Sequence, residues 1–245
     1  MAERALSEAP ALTSFPPGGA ALVIGSTGGL GAAFVEALSA SGIYRQVIGL
    51  SRSSVPPLDL LTEASIEAAA ATIGRVGMPL RLVIDATGFL HDERFGPERA
   101  WRQLDADHLA KAFAINAIGP ALLMKHFLPL LPSEGRSIFA TLSAKVGSIG
   151  DNRLGGWYSY RASKAALNQL VRTAAIELRR QRPGAICVAL HPGTVHSRLS
   201  APFRKAGLEV RAPREAAHLL LAVLDKLTPE QTGDFFDYRG QPLPW

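Results

Sequence analysis

The sequence is poor in cysteine: Cys187 stands alone among 245 residues. One thiol cannot close an internal disulfide or build a cysteine-rich metal site, so a reducing compartment, the cytoplasm, is expected. Cys187 lies in the apolar run 185–190, where a small buried hydrophobe is expected rather than a nucleophile. No apolar run approaches the roughly 18–20 residues that cross a bilayer, so no membrane span is expected. Glu3, Arg4 and Glu8 precede Pro16-Pro17 without the apolar stretch of a signal peptide. Residues 1–18 are therefore expected as a flexible extension ahead of a single domain, 19–245. The 6 histidines and the acids show no metal-ligand spacing, so no metal is expected. Formal net charge is +5, yet the basic residues are scattered. The densest group, Arg179, Arg180 and Arg182, falls at a predicted helix end, where the macrodipole favours cations. Without an aromatic–basic motif, nucleic acid ranks last among partners.

What is there supports a large core: 47% of residues are hydrophobic and 19% charged, which excludes global disorder. Short apolar, β-branched runs alternate with longer amphipathic segments, the pattern of repeated βα units. Strands are predicted at 21–24, 46–50, 80–85, 137–142, 185–190 and 234–238. Helices are predicted near 30–41, 62–73, 105–131, 159–180 and 213–227. The helix 159–180 has the clearest helical spacing, and Pro183-Gly184 stops it. No repeat or linker divides the chain. The fold expected is α/β: a single Rossmann-type, doubly wound parallel sheet with helices on both faces and ligands at the strands' carboxyl ends.

The first strand runs into Gly25-Ser26-Thr27-Gly28-Gly29-Leu30-Gly31 and then into a helix. Glycines there permit a tight turn and close approach of the backbone to a pyrophosphate, while the helix N-terminus supplies N–H groups and a positive dipole end. About 20 residues on, dinucleotide folds place the residue that inspects the adenosine ribose. An acid would favour NAD(H). Here Ser51-Arg52-Ser53 follows the second strand, and Arg52 can pair with a 2′-phosphate while the serines donate to it. NADP(H) is the preferred cofactor, with NAD(H) the alternative.

Tyr160 and Lys164 stand four apart on one helix face. A phenol is a poor base at neutral pH unless a nearby cation favours its phenolate, and Lys164 is placed to do that. With the glycine turn, these residues resemble the short-chain dehydrogenase/reductase family from about Ala20 onward. Gly25, Gly29 and Gly31 match the family's G-x-x-x-G-x-G, and Tyr160 and Lys164 its catalytic pair. Asp59, with Leu60 beside it, matches the acid that contacts adenine. Asn116 matches the asparagine that holds a proton-relay water. The turn Pro192-Gly193-Thr194, with Val195 and Ser197 after it, matches the segment at the nicotinamide. The segments 143–150 and 157–164 and the ending 235–245 are similar to the C-factor and sniffer group of carbonyl-reductase-like members.

The resemblance implies NADP(H)-dependent interconversion of a small carbonyl compound and its alcohol. It implies Tyr160 as acid/base and a homodimer or homotetramer. Two departures stand out. Asp85-Ala86-Thr87-Gly88 replaces the family's Asn-Asn-Ala-Gly at the cofactor, with Gly88 keeping the backbone role. Ala144 occupies the place of the catalytic serine, the second of a Ser-Ser pair, and Ser143 the first. A hydroxyl at the second place would stabilise charge on the substrate oxygen. Ser143 should point to the opposite side of an extended strand end, so Ser143, Ser148 or a neighbouring hydroxyl is left as substitute. The alternative to an enzyme is a cofactor-binding regulatory or signalling protein with little turnover. Trp157 and Tyr158 are candidates for the substrate mouth. A short basic segment carrying Arg198, Arg204, Lys205 and Arg211 is the candidate cover.

Overall fold

The structure is a computed structural model that describes residues 11–197, 202 and 209–245. Arg198, Arg204 and Lys205 of the expected cover, and residues 1–10, lie outside the described residues. Four βα repeats and a fifth strand are formed by β1 (Ala20–Ile24), α1 (Gly29–Ser41), β2 (Gln46–Leu50), α2 (Glu63–Gly74), β3 (Leu80–Asp85), α3 (Ala106–Phe113), α4 (Gly119–Phe127), β4 (Ser137–Leu142), α5 (Tyr158–Gln181) and β5 (Ala185–His191). The short pair β6 (Thr194–Val195) and β7 (Val210–Arg211), the helix α6 (Pro213–Lys226) and the edge strand β8 (Phe235–Asp237) complete the chain.

The main sheet is parallel throughout, in the order β2-β1-β3-β4-β5-β8. Strand order reverses between β1 and β3, the point at which such sheets open a crevice beyond their carboxyl ends. The strands are buried on both faces because two cores sandwich them. Ala21, Val23, Ile84 and Ala140 pack with α1 and α6, while Leu22, Ile24, Val83 and Phe139 pack with α2, α4 and α5. Alternate residues of one strand thus enter different cores, which is why β4 and β5 read as continuous apolar runs. Helix ends follow local chemistry: Pro213 opens α6, and Gly42 closes α1 at φ +64°.

Two expectations change. The predicted helix 105–131 is interrupted: between α3 and α4, residues 114–118 form a π turn centred on Asn116. By length and composition the whole stretch Ala106–Leu130 is apolar enough to cross a bilayer. Leu123, Met124 and Phe127 spend that character on the sheet, while Ile118 remains exposed.

Residues 11–18 are not loose. Leu12 and Phe15 are each 3% exposed and belong to the core beneath α6. Ser14 donates N–H and Oγ to Asp225 Oδ1 at 2.9 and 2.7 Å. The Arg136 guanidinium lies 5.0 Å from the Phe15 ring centre while donating to Leu224 O and Leu227 O at 2.6 and 2.5 Å. The nearby charges and prolines hide two apolar anchors from a reading of composition. Truncating Phe15 to alanine is expected to destabilise the protein by ~3–5 kcal/mol in urea unfolding. A change below ~0.5 kcal/mol, the level of a surface site, would contradict the packing.

Candidate active site

The glycine turn is shaped by close approach. Gly25 has φ +82° and donates N–H to Leu50 O at 2.9 Å. A Cβ on Gly31 would lie 2.1 Å from Gly25 O, so only glycine lets α1 leave the turn. At Gly29 no protein atom within the described residues comes nearer than 3.7 Å to where a Cβ would be. Glycine there leaves a cradle open at the helix N-terminus, whose first amides have no intrahelical acceptor. This cradle suits a pyrophosphate.

From the turn a cleft of about 920 Å³ runs along the carboxyl ends of β1, β3, β4 and β5. It brings together Thr27, Gly29, Leu30, Ala86, Thr87, Gly88, Ser143, Tyr160, Lys164, Pro192, Gly193, Val195 and Ser197. The other expected residues are set around it. Ser26 donates Oγ to Leu50 O at 3.2 Å. Ser51 is buried with its Oγ 3.1 Å from Ser53 Oγ, and Arg52 is exposed in the same turn. Asp59 Oδ1 accepts from Leu61 N at 3.0 Å, so that carboxylate oxygen supports its own turn. Leu60 packs against Gly119 and the core. Asn116 is wholly buried. Its side chain accepts from Phe89 N and donates to Phe89 O, both at 2.7 Å, and donates to Ser163 Oγ at 3.1 Å.

Lys164 is buried on α5 and donates Nζ to Leu142 O at 2.7 Å. Loss of hydration pulls its ammonium down to about 8, against the opposing charge of Asp85. Asp85 is itself buried, accepting from Thr141 Oγ1 at 2.6 Å and from Thr87 N and Oγ1 at 3.0 and 2.5 Å. Burial nevertheless pushes its carboxyl above the usual range. Tyr160 departs from expectation. Its phenol is pushed up to about 12 by burial, while Lys164 Nζ is turned to Leu142 O and stands 6.0 Å from the ring centre.

Ser143 takes the orientation expected of it. Strand alternation turns it onto the α5 face, where it donates Oγ to Asn168 Oδ1 at 2.6 Å. Ser148 donates to Trp245 O at 3.3 Å. Both hydroxyls are engaged within the protein, and the cleft wall at Ala144 offers a methyl group.

Sequence reasoning missed the device that orients α5. Trp157, at φ +54°, follows Gly155 and Gly156, which also have positive φ. Trp157 N donates to Glu98 O at 2.5 Å. The buried Glu98 carboxylate takes Ser159 N at 3.2 Å and the Ser159 hydroxyl, and it meets His108 Nδ1 at 3.0 Å. A carboxylate at a helix N-terminus answers its orphan amides and dipole. The Trp157 ring then meets Tyr160 edge-on at 6.2 Å. No local signal marked Glu98, because its partners lie on distant segments.

His191 lines the cleft, and among the described residues its buried Nδ1 lacks a partner. Burial first, with Lys145 and Arg211 adding, lowers its imidazole from 6.5 to about 4. Below pH 6.5 the unfolded chain therefore binds a proton that the folded chain refuses. The contribution of His191 to stability is whole above pH 6.5 and is lost as pH falls through 4. His191→Gln should lose less stability than wild type between pH 6.5 and 4 in urea titrations. Equal losses would contradict this environment.

A family model described as enoyl-(acyl carrier protein) reductase matches residues 21–227. C-signal of Myxococcus xanthus is 38% identical over 142 residues, covering 58% of this chain and 81% of that protein. A 1-hydroxy-2-glutathionyl-2-methyl-3-butene dehydrogenase of Rhodococcus sp. is 34% identical over 190 residues, covering 78% and 79%. The crystal structure of NADPH-bound carbonyl reductase from chicken fatty liver superposes with TM-score 0.81 at 27% identity, covering 94% of this chain and all of that one. With its parallel sheet, glycine turn and Tyr160–Lys164 pair, the chain belongs to the short-chain dehydrogenase/reductase family and resembles C-signal within it.

Proposed function

We propose that this protein is an NADP(H)-dependent oxidoreductase that interconverts a carbonyl compound and its alcohol. The observation that carries the reading is one cleft with an open glycine cradle at one end and Tyr160 beside Lys164 at the other. The cofactor is held by the amides around Gly29 and by Arg52, with Pro192, Gly193 and Ser197 at its far end. When bound, it supplies or takes the hydride at the carbonyl carbon. NADP(H) over NAD(H) is favoured by Arg52, exposed after β2, and by the NADPH in the avian carbonyl reductase.

Tyr160 gives its proton to the substrate oxygen as charge develops there. Lys164 supplies the positive charge that favours the phenolate left behind. The Asn116 side chain is committed to Phe89 and Ser163 within the π turn, where the family resemblance places a relay water. Such turns recur at functional sites. The exposed apolar residues Ile118 on the π turn and Ile176 on α5 suit a homodimer or homotetramer. The buried, unpaired thiol of Cys187 suits the cytoplasm.

A second reading, a cofactor-binding signalling protein with little turnover, is favoured by the methyl group at Ala144 and by the C-signal likeness. Tyr160→Phe decides between them. On the enzyme reading it should lower ketone reduction by about 10²–10⁴-fold while NADPH still binds. Binding without turnover in the unaltered protein would favour the signalling reading. Arg52→Asp should weaken NADPH by roughly 10–100-fold, the worth of one or two charge-assisted bonds, with NADH unchanged or tighter. An equal effect on both cofactors in fluorescence titrations would contradict the role of Arg52.

A further inference from the structure

We propose that Lys145 takes the place of the missing hydroxyl, its ammonium hydrogen-bonding the substrate's carbonyl oxygen beside Tyr160. This rests on the carbonyl-reductase reading above. Ala144 and Lys145 are adjacent and line the same cleft as Tyr160. The nearby hydroxyls are spoken for, Ser143 by Asn168 and Ser148 by Trp245.

The neighbouring cations differ in availability. Arg161 spends Nε, Nη1 and Nη2 on Gly156 O, Val146 O and Gly155 O at 3.0, 3.1 and 3.2 Å, so it braces the wall. Arg153 donates Nη1 to Gly150 O and Asn152 O at 3.1 and 3.2 Å, at the exposed rim. Among the described residues Lys145 is held by one long ion pair, Nζ to Asp151 Oδ1 at 3.4 Å, with its side chain 48% exposed. Lys145, Asp151 and His191 at the end of β5 all line the same cleft. A flexible four-carbon stem with three rotatable donors can exchange the carboxylate for a substrate oxygen without moving the backbone.

The wall that carries Lys145 is itself fixed. A Cβ on Gly147 would lie 2.8 Å from Lys164 Cβ, so the turn 145–147 is seated on α5 and holds its position relative to Tyr160. The chemistry balances without proton loss from lysine. Hydride adds to the carbonyl carbon, Tyr160 delivers the proton to oxygen, and Lys145 offsets the negative charge that develops between those events.

The test uses Lys145→Met, Ala144→Ser and the double variant in the full chain, with a neutral ketone and NADPH. Lys145→Met should lower kcat by about 10²–10³-fold, the loss expected for one oxyanion donor, with NADPH affinity unchanged. Ala144→Ser should restore most of that loss in the double variant and add less than about tenfold in the parent, because the role is already filled. A readout without turnover is the carbonyl stretch of ¹³C-labelled acetophenone bound to the protein with and without NADP+. It should lie lower in the parent than in Lys145→Met and fall again in the double variant.

Three results would overturn the proposal: unchanged kcat and stretch in Lys145→Met, a large gain from Ala144→Ser alone, or a defect confined to KM for carboxylate-bearing carbonyls. The last outcome would make Lys145 a substrate-binding cation. If NADPH fails to bind, the function proposed above falls instead, and the cofactor-free infrared measurement still decides the place of Lys145. Absence of ketone binding in every variant would overturn both.

Discussion

A buried ammonium must be hydrogen-bonded and faced by opposite charge, and Lys164 meets both needs at the carboxyl end of β4. Its Nζ donates to Leu142 O, and the Asp85 carboxylate opposes the loss of hydration. That bond ties the second turn of α5 to the end of a central strand, and much else follows from it. Gly147 must be glycine for the turn after β4 to seat on Lys164. Asp85, held by Thr141 and Thr87, replaces an amide with a charge where the cofactor turn begins. Tyr160, one helical turn before Lys164, is carried to the cleft with its proton retained.

The two ends of the cleft are built from different materials. The cofactor end is backbone: glycines with no room for side chains, or with space kept open, at the start of a helix. The substrate end is side chains on a wall fixed by α5, which is itself oriented by Glu98, Ser159 and the left-handed Trp157. Family membership fixes the first end closely. The second carries the departures, an alanine where a hydroxyl is usual and a lysine next to it.

The fold was legible because burial on both sheet faces leaves an unmistakable trace, apolar runs such as 137–142 and 185–190 closed by turn residues. The glycine turn and the Tyr160–Lys164 spacing were legible because each chemistry demands particular residues at fixed separations. The orientation of Ser143 was also legible, since strand alternation alone sets it against Ala144. Other features left no local trace. The π turn at Asn116 lies within an uninterrupted helical pattern. Glu98 acts through Ser159, 61 residues away. Leu12 and Phe15 are too few to outweigh the prolines and charges around them. The raised Tyr160 pKa comes from burial, which the spacing to Lys164 does not specify.

The central claim is that hydride passes within this cleft between the cofactor and a carbonyl carbon. The most direct measurement is to supply NADPH deuterated at the transferring C4 position with a ketone and examine the product by mass spectrometry. The account predicts an alcohol with one deuterium on the carbinol carbon. Bound NADPH with no labelled alcohol across a panel of ketones, aldehydes and quinones would contradict it.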